Sequence, residues 1–409
     1  MNVLLVNKFF YQRGGSERVM FDTAAGLQRA GHRVGFFSMH SPRNLPSAYA
    51  RHFVSEVDFS LPGARQRLRG AGRMLYSFEA KRKLAGLLRQ EPFEVAHLHN
   101  VHHQISPSIL HTLRRHKIPV VMTLHDYKMI CPVYTMVRRG KVCELCRGGA
   151  FHHCLTNRCA KNSLPASLLN AVEMYLHHTI LRLYRLVDVF VSPSLFLKNK
   201  LAEAGFPGRV VHLRNPVELS AYAPPSPAAA PSILYAGRLS PEKGLHTLLD
   251  AVKGLPAACI LAGEGPLRID LERQAASRGI DNVLFLGHVD TGRVKDLMAS
   301  ARAVVVPSEW YENNPLAAIE ACAAGKPVIG SRIGGIPEVV EHGVTGLLFT
   351  PGSAEELRQA IIFLLENPDA ARDLGWAARL FAERNLGLDR YLEQLLMHYQ
   401  EAVDAHRTD

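Results

Sequence analysis

The sequence of 409 residues contains no apolar run that approaches about 18 residues, so it predicts no membrane-spanning helix. No basic segment precedes the apolar run at the N-terminus, which argues against a signal peptide. The seven cysteines are an odd number, and five of them lie between Cys131 and Cys159, which argues against a secreted disulfide scaffold. No repeat of solenoid type is present. These absences predict a soluble, cytoplasmic protein.

The composition is that of an ordinary globular chain, with 47% hydrophobic and 21% charged residues. At roughly 100–200 residues per domain, the length predicts two or three domains. The net charge of +11 is divided unevenly. Residues 1–215 carry 31 Lys and Arg against 12 Asp and Glu, a net charge of +19, whereas residues 216–409 carry a net charge of −8. The first half therefore predicts an anionic partner, such as a membrane surface or a phosphorylated substrate.

Short apolar runs alternate with helical patterns in both halves, which predicts βαβ units and parallel sheets. Strands are predicted at 2–7, 33–39, 94–99, 120–124, 188–192, 232–236, 258–262, 282–286, 303–306, 327–330 and 346–349. Helices are predicted at 16–30, 104–116, 165–187, 244–253, 265–278 and 290–300. Residues 215–231 hold five prolines in seventeen positions and therefore predict a linker.

The predicted fold class is α/β, with two Rossmann-like, doubly wound domains. The first domain spans 1–215 and includes a cysteine-rich insert at 131–160, the second spans 216–389, and a final helix at 390–409 is expected to pack back on the first domain. Ligands of such sheets bind beyond the carboxyl ends of the strands. A cleft between two facing domains is therefore the expected binding site.

The segment AGRLSPEKGL, from Ala236 to Leu245, runs from the end of a predicted strand to the start of a predicted helix. Gly237 permits a tight turn there. Arg238 and Lys243 lie five residues apart across that turn, so both can reach one anion at the helix N-terminus. The alternative is a loop with two solvated basic side chains.

A second segment, PSEWYENNPLAAIEACAAGKPVIG at 307–330, carries two carboxylates, Glu312 and Glu320, with seven residues between them. Glu312 is expected just before a helix. Glu320 would sit inside that helix beside apolar residues, where ribose hydroxyl groups would supply the partners that a carboxylate needs. The alternative is an ordinary capped helix with acidic residues in its first turns.

Asn314 suits the N-cap of that helix and Pro315 its first helical position. The backbone N–H groups of Asn314, Leu316 and Ala317 would then face a phosphate. Two glycine-rich loops fit the same plan, because they allow a backbone to approach a ligand or to turn sharply. They are Gly263–Glu264–Gly265 and Gly334–Gly335.

Taken together, these segments resemble the GT-B glycosyltransferases of glycosyltransferase family 4. The matching pieces follow the family order and cover most of the chain. They are GGSERV at 14–19, LHD at 124–126, GRLSPEKG at 237–244, GEGP at 263–266, NNPLAAIEA at 313–321 with the Glu312-x7-Glu320 pair, and GKPVIGSRIGGIPEVVEHGVTGLLF at 325–349.

The resemblance implies a retaining transfer of a hexose-type unit from a UDP- or GDP-linked sugar to a saccharide or lipid-linked acceptor, in cell-surface polysaccharide or glycolipid synthesis. It implies no obligatory metal for catalysis, and the sequence has no Asp-x-Asp motif. It assigns Arg238 and Lys243 to the diphosphate, Glu320 to the ribose and Glu312 to the hydroxyl groups of the donor sugar.

In the first domain, the resemblance assigns Gly14 and Gly15 to the phosphate and the acceptor. It assigns His125, in LHD, to the donor sugar near the reacting carbon. The competing histidines are His97, His99, His102 and His103. Because His97 and His99 alternate along a strand and share a face, at least one is expected to be a buried, hydrogen-bonded imidazole.

The cysteines after Asp126 have metal-ligand spacing: Cys143-x2-Cys146 is followed by Cys154 and then by Cys159. Four cysteines at this spacing can form a closed structural zinc site. An iron–sulfur cluster and a reduced loop with unliganded thiols are the alternatives.

A basic stretch with interleaved apolar residues lies at 65–89 and is expected to be helical. It predicts peripheral contact with the inner face of an anionic membrane. The alternative is a helix packed on its own domain. A nucleic-acid-binding protein is a rival reading of the charge, although no stacking platform or recognition helix is evident. A sugar-nucleotide epimerase of GT-B type is another.

Overall fold

The computed structural model of the protein describes residues 1–57, 64–223 and 231–408, without the side chains of residues 64–67 and 407–408. Internal contacts divide the chain into two compact units. The first is built from Met1–Met136, Glu144–Leu213 and the segment from Asp389 onward. The second is built from Val137–Cys143 and Arg214–Leu388. Residues 224–230 of the predicted linker lie outside the described residues.

The strands, in chain order, are Asn2–Val6 (β1), Arg33–Phe37 (β2), Val95–Leu98 (β3), Val120–Thr123 (β4), Val137–Arg138 (β5), Lys141–Val142 (β6), Val189–Ser192 (β7), Val210–His212 (β8), Ser232–Ala236 (β9), Ala258–Ala262 (β10), Val283–Gly287 (β11), Ala303–Val306 (β12), Val328–Ser331 (β13) and Gly346–Phe349 (β14).

The α-helices, in chain order, are Gly15–Arg29 (α1), Ala64–Leu75 (α2), Phe78–Gln90 (α3), Ile109–Arg115 (α4), His152–Thr156 (α5), Leu164–Tyr175 (α6), Leu195–Glu203 (α7), Leu245–Val252 (α8), Arg268–Ser277 (α9), Thr291–Ser300 (α10), Leu316–Ala323 (α11), Ala354–Glu366 (α12), Pro368–Asn385 (α13) and Leu388–Thr408 (α14). Among the described residues, none of these helices is long and apolar enough to cross a membrane.

The sheet of the first unit is parallel, with the strand order β2-β1-β3-β4-β7-β8. β1 therefore lies between β2 and β3, and the winding direction reverses at β1. The loops that follow β1 and β3 leave the sheet at this reversal, which is where doubly wound sheets bind ligands.

The sheet of the second unit is also parallel, with the order β11-β10-β9-β12-β13-β14. Its winding reverses at β9. Successive residues of β9 bury opposite faces: Leu234 packs with Val304 on one face, and Ile233 packs with Val305 on the other. Each fully buried aliphatic side chain contributes about 1.5–3 kcal/mol. Burial on both faces explains why these strands read as unbroken apolar runs.

Two predicted helices in the first half are wrong in their extent. The helix predicted at 104–116 begins only at Ile109, because His103 and Ser106 adopt left-handed backbone with φ of 69° and 75°. The helix predicted at 165–187 is α6, which ends at Tyr175. A π-helical turn, Leu176–Ile180, follows it.

The basic stretch at 65–89 forms two helices, α2 and α3. Ser77 separates them, because its hydroxyl accepts the backbone N–H of Ala80 at 3.1 Å and so caps α3. Arg73, which is 6% exposed, donates to Glu79 and to Ser55. This cation therefore serves internal packing and does not add to a solvated basic face.

The last helix, α14, belongs to the first unit from Asp389 onward. The hydroxyl of its buried Tyr399 lies 2.7 Å from Nδ1 of His97 in β3. Its His406 lies 2.8 Å from a carboxylate oxygen of Asp188, which precedes β7. Helix α14 therefore contributes to the same core as β3 and β7 of the first unit.

Candidate active site

The residues predicted to bind a nucleotide follow three neighbouring strands of the second unit. Arg238 follows β9, Gly263 and Glu264 follow β10, and Glu312 follows β12. These strands adjoin the point where the winding reverses, with β9 between the other two. Their carboxyl ends meet at one edge of the sheet, so the structure brings the predicted residues of this unit together.

An ion pair joins the loop after β9 to the loop after β12. Lys243 Nζ lies 2.6 Å from Oε1 of Glu312, which also accepts the hydroxyl of Ser308 at 2.6 Å. Burial alone would raise the pKa of the Glu312 carboxyl. The Lys243 ammonium and the Ser308 hydroxyl outweigh it and hold that pKa below its ordinary value. Glu312 is therefore a buried, ionised carboxylate.

The other basic residue of this loop, Arg238, differs from Lys243. Its side chain is exposed, and its guanidinium has no hydrogen-bond or ion-pair partner within the described residues. The backbone beneath it is held, because Arg238 O accepts the hydroxyl of Tyr235 at 2.7 Å. The result is an unpaired cation on an anchored loop.

The start of α11 corrects the predicted cap. The helix begins at Leu316, its N-cap residue is Pro315, and no side chain caps it. Asn314 is not the cap because Oδ1 of its side chain accepts the backbone N–H of Asn215 at 2.9 Å. Its Nδ2 is buried without a hydrogen-bond partner in the described structure.

The N-terminus of α11 thus presents unsatisfied donors. The first two N–H groups of the helix, of Leu316 and Ala317, have no partner in the described part of the chain. Together with Asn314 Nδ2, they form a set of donors suited to an anion.

Gly334 and Gly335 hold the backbone of Glu312. The N–H of Gly335 donates to Glu312 O at 2.7 Å. Gly334 has a φ of 59°, and a Cβ there would lie 2.4 Å from the same oxygen. Gly334 therefore supplies a sharp turn, which is one of the two roles predicted for this loop, and the turn also fixes the backbone of Glu312.

Glu264 and Glu320 complete the predicted residues of this unit. The Glu264 carboxylate pairs with Arg268, and its backbone oxygen accepts the N–H of Leu239 at 2.9 Å. Glu320 lies within α11 and is only 6% exposed. The structure therefore places Glu320 in the helix, as predicted. The carboxylate of Glu264 is paired with Arg268, the first residue of α9.

In the first unit, Gly14 and Gly15 stand where α1 begins, immediately after the loop from β1. Both glycines are exposed. A Cβ added to Gly14 would meet nothing nearer than a carboxylate oxygen of Glu17 at 3.7 Å, which is ordinary contact. The fold therefore leaves space at Gly14.

His125 lies two residues beyond the end of β4, and its Nε2 lies 2.8 Å from Nδ1 of His99. Burial lowers the pKa of His125 to about 3, so the imidazole is neutral at physiological pH. His97 is the buried, hydrogen-bonded imidazole that the alternation predicts, with Tyr399 and Thr123 each 2.7 Å from its ring nitrogens.

Sequence reasoning missed a buried ion pair near these histidines. Lys128 donates to Oε2 of Glu173 in α6 at 2.6 Å, and both residues are at most 1% exposed. Burial would raise the pKa of Glu173, but Lys128 and His103 outweigh it and lower that pKa. No local pattern signals a pair that is 45 residues apart in sequence.

The predicted zinc site is not supported. No group of three or more His, Cys, Asp or Glu side chains among the described residues could hold a metal ion. None of the four predicted ligands forms a disulfide bond: Cys143, Cys146, Cys154 and Cys159 are all reduced. Burial, with Cys159 beside it, raises the pKa of Cys154 to about 12.

The sequence matches two family models of known proteins. A family model described as Glycosyltransferase Family 4 matches residues 13–221, and one described as Glycosyl transferases group 1 matches residues 223–381. The first covers more than half of the chain. The chain belongs to glycosyltransferase family 4. The predicted resemblance is thus confirmed over nearly the whole sequence.

One relative of this family 4 chain is the D-rhamnosyltransferase WbpZ of Pseudomonas aeruginosa. It is 39% identical over 144 residues, which are 35% of this chain and 38% of the relative. The match therefore spans well under half of that protein's length.

Solved structures share the fold over the whole chain. Sucrose-phosphate synthase from Thermosynechococcus elongatus superposes with a TM-score of 0.74 at 20% identity, over 99% of both chains. HepE of Anabaena, in complex with UDP-glucose, gives 0.67 at 21% identity, over 98% of this chain and all of that one. The predicted GT-B fold class, with two doubly wound sheets, is confirmed.

Proposed function

We propose that this chain transfers a sugar, with retention of configuration, from a UDP- or GDP-linked donor to a saccharide or lipid-linked acceptor in cell-surface polysaccharide or glycolipid synthesis. One observation carries the donor assignment. The start of α11 presents unsatisfied hydrogen-bond donors, including Asn314 Nδ2. The Lys243–Glu312 ion pair joins this region to the loop after β9, which carries the unpaired Arg238. Donors of this kind at a helix N-terminus bind anions, and the diphosphate of a sugar nucleotide is such an anion. The UDP-glucose bound to HepE supports the same class of donor.

The proposed chemistry uses charged and polar groups that the fold already gathers at the strand ends. Negative charge develops on the departing β-phosphate oxygen as its bond to the sugar carbon breaks. Arg238, Lys243 and the helix N–H groups stabilise that charge. The acceptor oxygen forms the new bond on the same face of the sugar, and its proton passes to the departing phosphate.

The remaining residues hold the donor. Glu320 accepts hydrogen bonds from the ribose hydroxyl groups, and Glu312 does the same for the sugar. His125 is neutral, so it contributes a hydrogen bond to the sugar and is not a proton source. Gly14 and Gly15 lie near the phosphate and the acceptor, and an added Cβ at Gly14 would meet only ordinary contact.

The test is a panel of UDP- and GDP-sugars incubated with the full chain, with and without a lipid extract. Release of nucleotide diphosphate only when acceptor is present, with an unchanged anomeric configuration of the transferred sugar by NMR, supports the proposal. An isomerised free sugar nucleotide would show an epimerase instead. Inverted product would contradict retention alone.

The lipid-linked acceptor is proposed to bring the chain to an anionic membrane through the first unit. Support comes from large apolar side chains exposed along α6 and the π-helical turn after it. They are Leu164, Leu168, Val172 and Ile180, which are 43–69% exposed. Exposed apolar side chains in one segment are typical of an interaction surface.

The charged residues around these exposed apolar side chains are suited to anionic lipid. Between Glu144 and Asp188, the only acidic residue is Glu173, and it is buried against Lys128. The exposed arginines and lysines of the same segment are Arg147, Arg158, Lys161, Arg182 and Arg185. This surface is distinct from the stretch at 65–89 on which the sequence prediction rests.

Vesicle pelleting tests this contact. We expect binding to anionic vesicles that weakens as salt is added, and weaker binding by a Leu168→Ser, Val172→Ser variant. Ile269→Ser is the matched control, because Ile269 is 68% exposed in α9 of the second unit. Equal pelleting with neutral and anionic vesicles would remove the membrane proposal and leave glycosyl transfer untouched.

A further inference from the structure

His99 and His125 follow neighbouring strands and meet at their carboxyl ends. β3 and β4 are paired, and each histidine lies one or two residues beyond its strand. The ring nitrogens are 2.8 Å apart, the ring centres are 5.1 Å apart and the ring planes differ by 16°. The rings therefore meet edge to edge in nearly one plane, which is the geometry of a direct hydrogen bond.

One proton lies between these two nitrogens. Burial lowers the pKa of both histidines, so both rings are neutral at physiological pH. Each neutral ring carries a single N–H. Either His99 Nδ1 donates to His125 Nε2, or the donor and acceptor are exchanged.

The second nitrogen of His99 decides between the two arrangements. Nε2 of His99 is buried and has no hydrogen-bond partner in the described structure. If His125 were the donor, His99 Nε2 would carry a proton with no acceptor. Buried N–H groups without an acceptor are rarer than under-satisfied acceptors. With His99 Nδ1–H as the donor, His99 Nε2 is only an acceptor without a partner, which costs less free energy than a buried N–H without one.

His99 is itself held in place. Its backbone N–H donates to Val6 O at 2.8 Å, which fixes it against β1. Its ring centre lies 4.4 Å from that of His97, and both nitrogens of His97 are engaged by hydroxyl groups. His99 is 0% exposed, so bulk solvent does not contact its ring.

We propose that His99 is a positioning residue that holds His125 in the Nδ1–H tautomer and aims that N–H at an oxygen of the bound sugar. Nδ1 of His125 has no partner among the described residues, and His125 is partly exposed, so its N–H is available to a ligand. The role toward sugar rests on the proposed function, whereas the tautomer does not.

The tautomer is read by nitrogen-15 NMR of the full chain labelled at histidine. The signals of His125 are those that vanish in His125→Ala. We expect a protonated Nδ1 and an unprotonated Nε2 in the wild-type chain. A protonated Nε2 would overturn the proposal.

Two substitutions of His99 sharpen the test. His99→Asn places an amide N–H near the position of Nδ1 and is expected to keep the tautomer of His125. His99→Asp offers only acceptor oxygens there, so it is expected to move the proton of His125 to Nε2. An unchanged tautomer in His99→Asp would contradict the positioning role.

Transfer kinetics give the second readout. We expect kcat to fall about a hundredfold in His99→Leu, as for a misplaced catalytic group, and His99→Asn to recover much of that loss. His116→Leu, at the end of α4, is the matched control. Full kcat in a folded His99→Leu chain would refute the role. If no sugar nucleotide reacts with the wild-type chain, the proposed function fails while the NMR result still decides the tautomer.

Discussion

Lys243 and Glu312 form an ion pair across two strand ends, with Nζ and Oε1 2.6 Å apart. The carboxylate side chain is 8% exposed, whereas the lysine side chain is 22% exposed and also lies over the ring of Trp310 at 5.1 Å. The cation therefore stays accessible to a ligand while it neutralises a buried charge. In the proposed reaction, a diphosphate competes with Glu312 for this lysine.

Lys243→Met is expected to lower the free energy of unfolding by about 2–3 kcal/mol, because it leaves the Glu312 carboxylate buried without its cation. Glu312→Gln removes that charge, so the double variant should lose less than the sum of the two single losses. Urea unfolding of the four chains at neutral pH measures this. Additive losses would mean that the pair contributes no coupling.

Arg238→Ala is expected to lower kcat/KM for the sugar nucleotide roughly 10- to 100-fold, since a charge-assisted hydrogen bond to phosphate contributes about 1.5–3 kcal/mol. The melting temperature should not change, because the guanidinium has no partner among the described residues. Arg293→Ala, an exposed arginine in α10, is the control. Equal kinetics for both variants would remove Arg238 from the donor site.

Gly14→Ala and Gly244→Ala are expected to act in opposite ways. A Cβ on Gly14 meets only ordinary contact, so the variant should keep its melting temperature but show a raised KM. Gly244 has a φ of 67°, and its Cβ would lie 1.8 Å from Pro307 O. That variant should be destabilised by more than about 1 kcal/mol. Unchanged KM for Gly14→Ala, measured in the same donor assay, would contradict the role of Gly14.

His178→Phe should stabilise the protein increasingly as the pH falls. Burial lowers the pKa of His178 to about 3, well below its ordinary value of 6.5, so the unfolded chain takes up its proton first. The resulting penalty is absent above about pH 6.5 and grows below it. The ring lies among Phe151, Tyr184 and Phe206, which suits phenylalanine. Between about pH 7 and pH 5 the advantage should rise by roughly 1–2 kcal/mol in urea titrations. A pH-independent difference would argue against a buried neutral His178.

The strands of both sheets were predictable because strands that are buried on both faces need apolar residues at successive positions, which appear in the sequence as continuous apolar runs. Those at 232–236, 258–262, 303–306 and 346–349 agree with the structure at both ends. The helix starts were less predictable, since His103 and Ser106 take left-handed backbone that no residue pattern announces.

The loops of the candidate site were predictable as a set, through glycine, charge and helix-start chemistry at strand ends. Their internal partners were not. Asn314 is the preferred cap by residue type, yet its side chain is bound by Asn215, 99 residues away. His99 gains its importance only from the pairing of β3 with β4, which places it against His125.

The return of α14 to the first unit has a consequence for how the protein is made. His97 cannot gain its Tyr399 partner until the ribosome has synthesised both units. The core of the first unit therefore stays incomplete while the second unit is synthesised and folds. Domains usually fold in the order of their synthesis. Nascent chains that stop before α14 should engage chaperones at their first half, and the ring of His97 beside His99 should order last.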